Sequence, residues 1–400
     1  MASISEPEKS PLFRQEKKGG VTYRIPSLLY LSTSKTFLAF SEKRSTPADS
    51  DAECLVMRRG TFQDGSVQWE SKQELLTARL CGFRTMNPCP VYEKKSRVLF
   101  LFFICVRGKI SEQRQIRTGR NEARLCYIRS TDFGESWGDI KDLTRDVIGA
   151  EVENWATFAV GPGHGVQLQC GRLIIPAYVY YITCRCWCLH FPCCVKPHAF
   201  SFYSDDCGQT WHVGKVIQGL KTGECEMAEL VDQNGRSHLY CNARSSSRHR
   251  VEVLSEKKGA EFSKPHLAPK LVEPHNGCQG SVVSFPKPVE YTENETDESS
   301  ENTRSQANTA SNTWLLYSHP TNRRKRADLG IYLNQSPLDT SCWESPWVVS
   351  RGPSGYSDLA HCEGTKWFAC LLECGAKSEL EEIAFVRFTL EEVMEKGTGK

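Results

Sequence analysis

Apolar residues in this chain fall in short runs and two-residue alternations, seldom at the spacing of an amphipathic helix. Stretches of this kind are Tyr23–Tyr30, Thr36–Ser41, Cys54–Arg58, Arg97–Cys105, Ala123–Arg129, Arg172–Tyr181, His198–Ser204, Ser237–Asn242, Trp314–Ser318, Trp367–Leu372 and Ile383–Phe388. β-Branched and aromatic side chains fit a pleated, half-buried surface, so each is predicted as a strand. Helical periodicity is convincing only around Leu390–Lys396. Many short strands separated by turn residues predict an all-β sandwich, barrel or propeller.

An internal repeat narrows the choice. Ser130-Thr131-Asp132-Phe133-Gly134-Glu135-Ser136-Trp137 and Ser204-Asp205-Asp206-Cys207-Gly208-Gln209-Thr210-Trp211 fit one template, S-x-D-x-G-x-[ST]-W. Each follows a predicted strand. Asp is expected to accept backbone N–H groups across the turn, Gly to supply positive φ, and Trp to anchor adjacent sheets. A worn copy lies at Ser255–Phe262, with Lys257 where Asp should stand, and Trp69 and Trp343 end segments that keep less of it. Such turns locate structural units, not chemistry.

Composition excludes several classes. The 400 residues carry 50 basic and 48 acidic side chains, so no global field recruits nucleic acid. The longest apolar run, Val98–Val106, is about half of what a membrane-spanning helix needs. Met1–Gly20 does not read as a secretory signal, so the 19 cysteines are expected in a reduced compartment. No C-x-x-C pair occurs among them. Cys184, Cys186, Cys188, Cys193 and Cys194 crowd one segment, where a zinc reading with His190 or His198 lacks the usual spacing. Trp187, Leu189 and Phe191 add apolar anchors, leaving a packed hairpin or a membrane-facing, S-acylated loop as alternatives. Pro286–Thr313, rich in Glu, Asn, Ser and Thr, reads as an unordered insertion between two strands. It includes the glycosylation-type triplet Asn294-Glu295-Thr296.

Metalloprotease, phosphate-loop and serine-elbow signatures are missing, and Gly161–Gly165 reads as a plain turn. What remains is polar residues set in apolar surroundings. Arg24, inside Tyr23-Arg24-Ile25-Pro26, is either exposed at a strand edge or held for an anion. Tyr178 and Tyr180 point the same way from one strand. Glu224, Glu226 and Glu229 gather carboxylates on one stretch, and Asn242-Ala243-Arg244, Arg326-Ala327-Asp328 and Tyr356-Ser357-Asp358 read as strand ends.

Tyr23–Pro26, the two Asp-containing repeats, Arg84–Pro90, Ala156–His164 and Cys278–Ser281 together resemble the vertebrate sialidases of glycoside hydrolase family 33. The likeness spans about Pro11–Thr389. Ser10–Glu16, Phe100–Gly108, Gly330–Gln335 and part of Leu371–Gly375 are similar to its ganglioside-acting, membrane-associated branch. The resemblance implies a six-bladed β-propeller, a single domain over residues 11–390 between a flexible N-terminus and a short tail. It implies a retaining exo-α-sialidase that needs no cofactor or metal. Its substrates would be gangliosides, sialylated oligosaccharides or glycoproteins, met by peripheral contact at a plasma or endosomal membrane, with a cytoplasmic location as the alternative. By matching position, Arg24, Arg244 and Arg326 would clamp the sialic acid carboxylate and Glu373 would orient Arg24. Tyr356 would be the nucleophile, Glu224 its base and Asp49 the acid/base, with Arg44 beside it. Met86, Glu112, Tyr178, Tyr180 and Gln279 would line the pocket. The loop Ser45–Asp49 departs from the family by carrying Pro47 where relatives have basic residues, which stiffens its closure. A catalytically silent sialoglycan-binding propeller is the alternative.

Overall fold

The computed structural model describes residues 6–63, 65–185, 192–288, 311–339 and 342–397. The described residues form five antiparallel sheets. The first runs Thr22–Leu31, Thr36–Arg44, Ala52–Gln63 and Ser66–Trp69, and the second Phe83–Glu93, Val98–Arg107, Ala123–Ser130 and Lys141–Asp142. The third runs Trp155–Val160, Leu173–Arg185, Pro192–Ser204 and His212–Val213, and the fourth Cys225–Val231, Ser237–Ala243, His249–Ser255 and His266–Val272. A seven-stranded sheet ends the series, from Ser281–Pro286 to Glu382–Thr389, with Ser10–Arg14 added at its outer edge. Its long strand Trp347–His361 pairs with Ala327–Asn334 through Trp347–Pro353 and with Trp367–Cys374 through Ser354–His361.

The apolar core is split into layers, each between neighbouring sheets. Leu38, Phe40, Leu101 and Phe103 fill the space between the first two sheets. Phe100, Phe158, Phe200 and Trp211 fill the next, and Ile174, Met227, Leu239 and Val251 the one after. Leu230, Tyr240, Leu315 and Tyr317 join the fourth sheet to the last. Phe13, Phe37, Leu371 and Phe385 then join the last sheet to the first. Sheets that stack in sequence and meet again at the chain's two ends make a propeller-like ring.

The eleven expected strands and the C-terminal helix, Leu390–Gly397, are present. A second helix, Glu112–Thr118, is present where none was expected. Its signals are local. Ser111 Oγ accepts the Arg114 N–H at 3.2 Å, and Gly119 closes the helix at φ 62°. At seven residues it is too short to show a hydrophobic period.

The repeated octapeptides behave as their chemistry predicts. Asp132 accepts the Ser136 N–H at 3.0 Å, Ser130 Oγ accepts the Gly134 N–H at 2.8 Å, and Gly134 sits at φ 82°. Asp206 and Ser204 repeat the pattern around Gly208. Each Trp packs on the preceding sheet, Trp137 edge-on to Phe40 and Trp211 to Phe100 and Phe102. The worn copy keeps the half its residues allow: Ser255 Oγ still accepts the Gly259 N–H at 2.9 Å.

Ser281–Pro286 and Thr313–Pro320 pair directly, so the polar insertion does leave between consecutive strands of one sheet. Its residues 289–310, including Asn294-Glu295-Thr296, lie outside the described residues. So do Cys186, Trp187, Cys188, Leu189, His190 and Phe191, and the side chain of Cys193. The described strands on either side pair with each other as far as Cys184 with Cys194 and Arg185 with Pro192. His198 Nδ1 meets the Ile217 carbonyl at 2.8 Å. No described helix is long and apolar enough to cross a membrane.

Candidate active site

A cavity of about 1100 Å³ opens at one end of the ring. Arg24, Arg44, Asp49, Met86, Glu112, Tyr178, Tyr180, Glu224, Arg244, Arg326 and Tyr356 all line it. They come from strands and connections of all five sheets, which sequence spacing alone could not bring together.

Tyr356 is at the centre. Its phenol donates to Glu224 Oε1 at 2.6 Å and accepts from Arg244 Nη1 at 3.1 Å. Arg244 Nη1 also donates to Glu224 Oε2 at 2.7 Å, so phenol, carboxylate and guanidinium form a closed triangle. Arg244 is further held by the Asn276 carbonyl. The Arg24 and Arg326 guanidinium carbons lie 5.6 and 5.1 Å from the centroid of the Tyr356 ring, within cation–π range. Arg326 Nε donates to the Gly277 carbonyl at 3.1 Å. Three guanidiniums converging on one phenol make a site for an anion with a planar, bidentate face.

Glu373 is fully buried behind this group, off the cavity wall. It accepts from Arg24 Nε at 2.7 Å and Nη2 at 3.2 Å, and from the Ile25 and Tyr356 backbone N–H groups at 2.9 and 3.0 Å. Burial raises its carboxyl, but Arg24 and these donors outweigh that and hold it below the usual range. One ionised carboxylate thus fixes an arginine and the backbone of the phenol-bearing residue. Burial opposes the charge on Arg24 and Arg244, yet Glu373 and Glu224 hold both cations above the ordinary arginine value. Burial pushes the Tyr356 phenol well up, and the Glu224 charge adds to that against Arg244 and Arg326. The phenol is therefore a weak nucleophile until a base takes its proton, and Glu224 is in position to do so.

Asp49 differs from the rest. Its side chain is 72% exposed, on a short 3₁₀ turn over Asp49–Asp51, and it contacts Arg44 Nη1. Arg44 is itself buried and tied to Glu42 Oε2 at 2.9 and 2.6 Å. An exposed carboxylate at the mouth suits proton exchange with a leaving group or water. The Tyr178 hydroxyl donates to Glu112 Oε2 at 3.2 Å, and the Tyr178 and Tyr180 rings meet edge to face at 6.2 Å. Burial, then repulsion from Glu224, raises the Glu112 carboxyl from 4.5 to about 7.

Gln279 does not line the cavity. It is 1% exposed, and its amide donates to the Pro162 and Ser357 carbonyls at 3.2 and 3.0 Å. Its Oε1 accepts the Ser357 N–H at 3.1 Å. The reason is register: Gln279 leads into the strand Ser281–Pro286 below the cavity floor, where it locks the strand carrying Tyr356.

Other residues of the site were not singled out as site residues beforehand. Arg84 reaches the wall, donating to the Gly108 and Ile110 carbonyls at 2.6 and 2.7 Å. Beneath the cavity, His164 Nδ1 lies 2.7 Å from Asp358 Oδ1, and Ser281 Oγ bridges Asp358 and Glu226 at 2.8 and 2.7 Å. Burial, reinforced by Asp358, pushes the Glu226 carboxyl well above its ordinary range. The signal was a period of two. Glu224 and Glu226 share a strand face, as do Tyr356 and Asp358. Glu229 leaves this group and accepts from the Gln169 N–H at 2.8 Å and from Ser237. His164, Glu226 and Asp358 could meet one cation, but Ser281, Val282 N–H and Leu28 N–H already occupy their oxygens.

The BNR repeat-like domain family matches residues 35–368 of the chain. The chain is 53% identical to sialidase-3 of Bos taurus, covering 98% of this chain and 94% of that protein. It is 42% identical to sialidase-4 of Homo sapiens, covering 97% and 94%. Among solved structures it superposes on Hadza microbial sialidase Hz136 with a TM-score of 0.74 at 20% identity, over 96% of this chain and 69% of that one. At that identity the superposition speaks for the fold.

Proposed function

The chain belongs to the sialidases, as an exo-α-sialidase similar to sialidase-3, and from that premise we propose that it is a retaining enzyme of gangliosides working through Tyr356. The observation that carries the reading is the Tyr356 hydroxyl donating to Glu224 at 2.6 Å between three arginines. Arg24, Arg244 and Arg326 take the sialic acid carboxylate. Asp49 then protonates the departing glycosidic oxygen while Glu224 accepts the phenol proton. The bond from Tyr356 Oη to the anomeric carbon forms as the glycosidic bond breaks. In the second half Asp49 removes a proton from water, which attacks the anomeric carbon, and Tyr356 leaves and recovers its proton from Glu224. Two displacements give net retention. A tyrosine suits this substrate because the anomeric carbon carries its own carboxylate, which would repel a carboxylate nucleophile.

The seven-stranded sheet reads best as two blades sharing Trp347–His361, which makes six blades in the ring. The ganglioside preference rests on likeness to sialidase-3 and on the hairpin bearing Tyr178 and Tyr180. Its two strands continue from the cavity wall into the cysteine-rich end. Acylated there, it would hold the cavity over glycolipid headgroups at a plasma or endosomal membrane as a peripheral contact. Treatment with 2,3-difluorosialic acid, digestion and mass spectrometry test the mechanism. An adduct on the Tyr356 peptide, formed more slowly in Glu224→Gln, is expected. An adduct on Asp49 would overturn the roles, and saturable sialoglycan binding with no turnover would make the protein a silent binder. Sialic acid release from a ganglioside, an oligosaccharide and a glycoprotein measured side by side tests the preference, and equal rates would refute it.

A further inference from the structure

The cavity is much larger than one monosaccharide needs, and its two sides differ in charge. The carboxylates at its rim, Asp49 and Glu112, come from the first and second sheets. The arginines on that side are already engaged: Arg44 by Glu42 and Asp49, Arg84 by two carbonyls. Beyond the clamp, the wall carries Lys221, Arg248, Arg323 and Arg324, and its buried Glu273 is already held by Arg250 at 2.8 Å. All four are exposed, and among the described residues none has a carboxylate partner.

These cations have a regular origin. Lys221 precedes Glu224 on the connection into the fourth sheet. Arg248 follows Arg244 on the next hairpin turn, and Arg323 and Arg324 precede Arg326 on the turn after Thr313–Pro320. Each connection that delivers one inner group to Tyr356 thus also delivers an outer cation to the same wall. Unpaired like charges side by side repel, so a cluster of this kind is held by the chain and offers itself to an anion. An anion that reaches it while a carboxylate occupies the clamp must be part of the same molecule or lie right beside it.

We propose that this outer tier is a second anion subsite that selects substrates whose leaving glycan carries a further carboxylate, as a second sialic acid does. It rests on the sialidase reading above and names the substrates that reading favours. A variant combining Arg248→Ala, Arg323→Ala and Arg324→Ala tests it, assayed on soluble monosialylated and disialylated oligosaccharides. Exposed charge pairs contribute modestly each, so three together give a loss of about five- to tenfold in kcat/KM for the disialylated substrate. The monosialylated substrate should stay within about twofold, and raising salt should erase the difference. An unchanged ratio would overturn the proposal. So would a loss seen only on a monosialylated glycolipid in vesicles with anionic phospholipid and not in neutral ones, because the cations would then serve lipid headgroups. If the wild type releases sialic acid from no substrate, the sialidase reading fails instead. Weaker binding of the disialylated oligosaccharide by the variant, measured by calorimetry, would then still be required.

Discussion

Glu112→Gln is expected to gain stability over the wild type as pH rises. Burial and the Glu224 charge raise the Glu112 carboxyl from 4.5 to about 7, so the folded protein holds a proton that the unfolded chain releases. The native state therefore binds more protons between those two values. Stability carried by this group is complete below about pH 4.5, falls as pH rises, and is lost above about 7. A separation of about 2.5 units corresponds to about 3.4 kcal/mol in full, of which about 2.5 kcal/mol falls between pH 5 and pH 8. Glu112 keeps some contact with the water of the cavity, which screens the charge and makes that an upper value. At about 2 cal/mol/K per residue of unfolding entropy, a chain this long shifts about 1 °C per kcal/mol, so about 2–3 °C is at stake. Glutamine keeps an acceptor for the Tyr178 hydroxyl and cannot ionise. Thermal unfolding of both proteins at pH 5 and pH 8 should show the variant's advantage growing by that amount. KM for an acidic substrate should also climb above pH 7 more steeply in the wild type, where a new anion faces the clamp. A stability difference of equal size at both pH values would refute the reasoning.

Arg326→Ala should lower kcat/KM by about 10²–10⁴, the worth of a two-bond, charge-assisted fork, without loss of the folded ring. Arg326→Lys should not restore it, and near-normal turnover by either would remove the residue from the site. Asp358→Ala should cost about 3–5 kcal/mol, because His164, Ser281 and the Leu28 N–H lose a fully buried partner together. Thermal unfolding reads that loss, and an unchanged melting temperature would show the cluster to be slack.

The strands and the repeated turns were legible because both rest on local chemistry: alternation, a Ser–Asp–Gly turn, a Trp. What stayed hidden was set by contacts distant in sequence. Phe83–Glu93 contains Pro88 and Pro90, which argue against a strand, yet it is the edge strand of the second sheet, with a register shift between Met86 and Cys89 that absorbs them. The helix bearing Glu112 is shorter than any period can reveal. At the site, Arg24, Arg244, Arg326, Tyr356 and Glu224 were singled out through family likeness, and the structure brings them to one cavity, whereas Arg24 alone looked like a costly buried charge. Gln279 was misplaced by one level, from wall to floor. Glu42 holds Arg44 from two residues back on the same strand, and His164 reaches Asp358 from another sheet, a contact that nothing local marks.

The strand Cys225–Val231 shows why chemistry and folding are hard to separate here. Side chains alternate faces along it and its approach, so Glu224 and Glu226 turn to the axis of the ring while Cys225 and Met227 enter the apolar layer with Ile174, Leu239 and Val251. Tyr356 and Asp358 repeat this in the last sheet, where Ser357 turns away to meet Ser318 at 2.8 Å. A one-residue slip in either strand would bury a carboxylate or a phenol among leucines and point a core residue at the substrate. The burial of Cys225 and Met227 therefore holds Glu224 within reach of the Tyr356 hydroxyl, and the ordered pair beneath fixes the depth. The geometry of the Tyr356–Glu224 pair is in this sense a consequence of strand register, specified by residues that do not line the cavity.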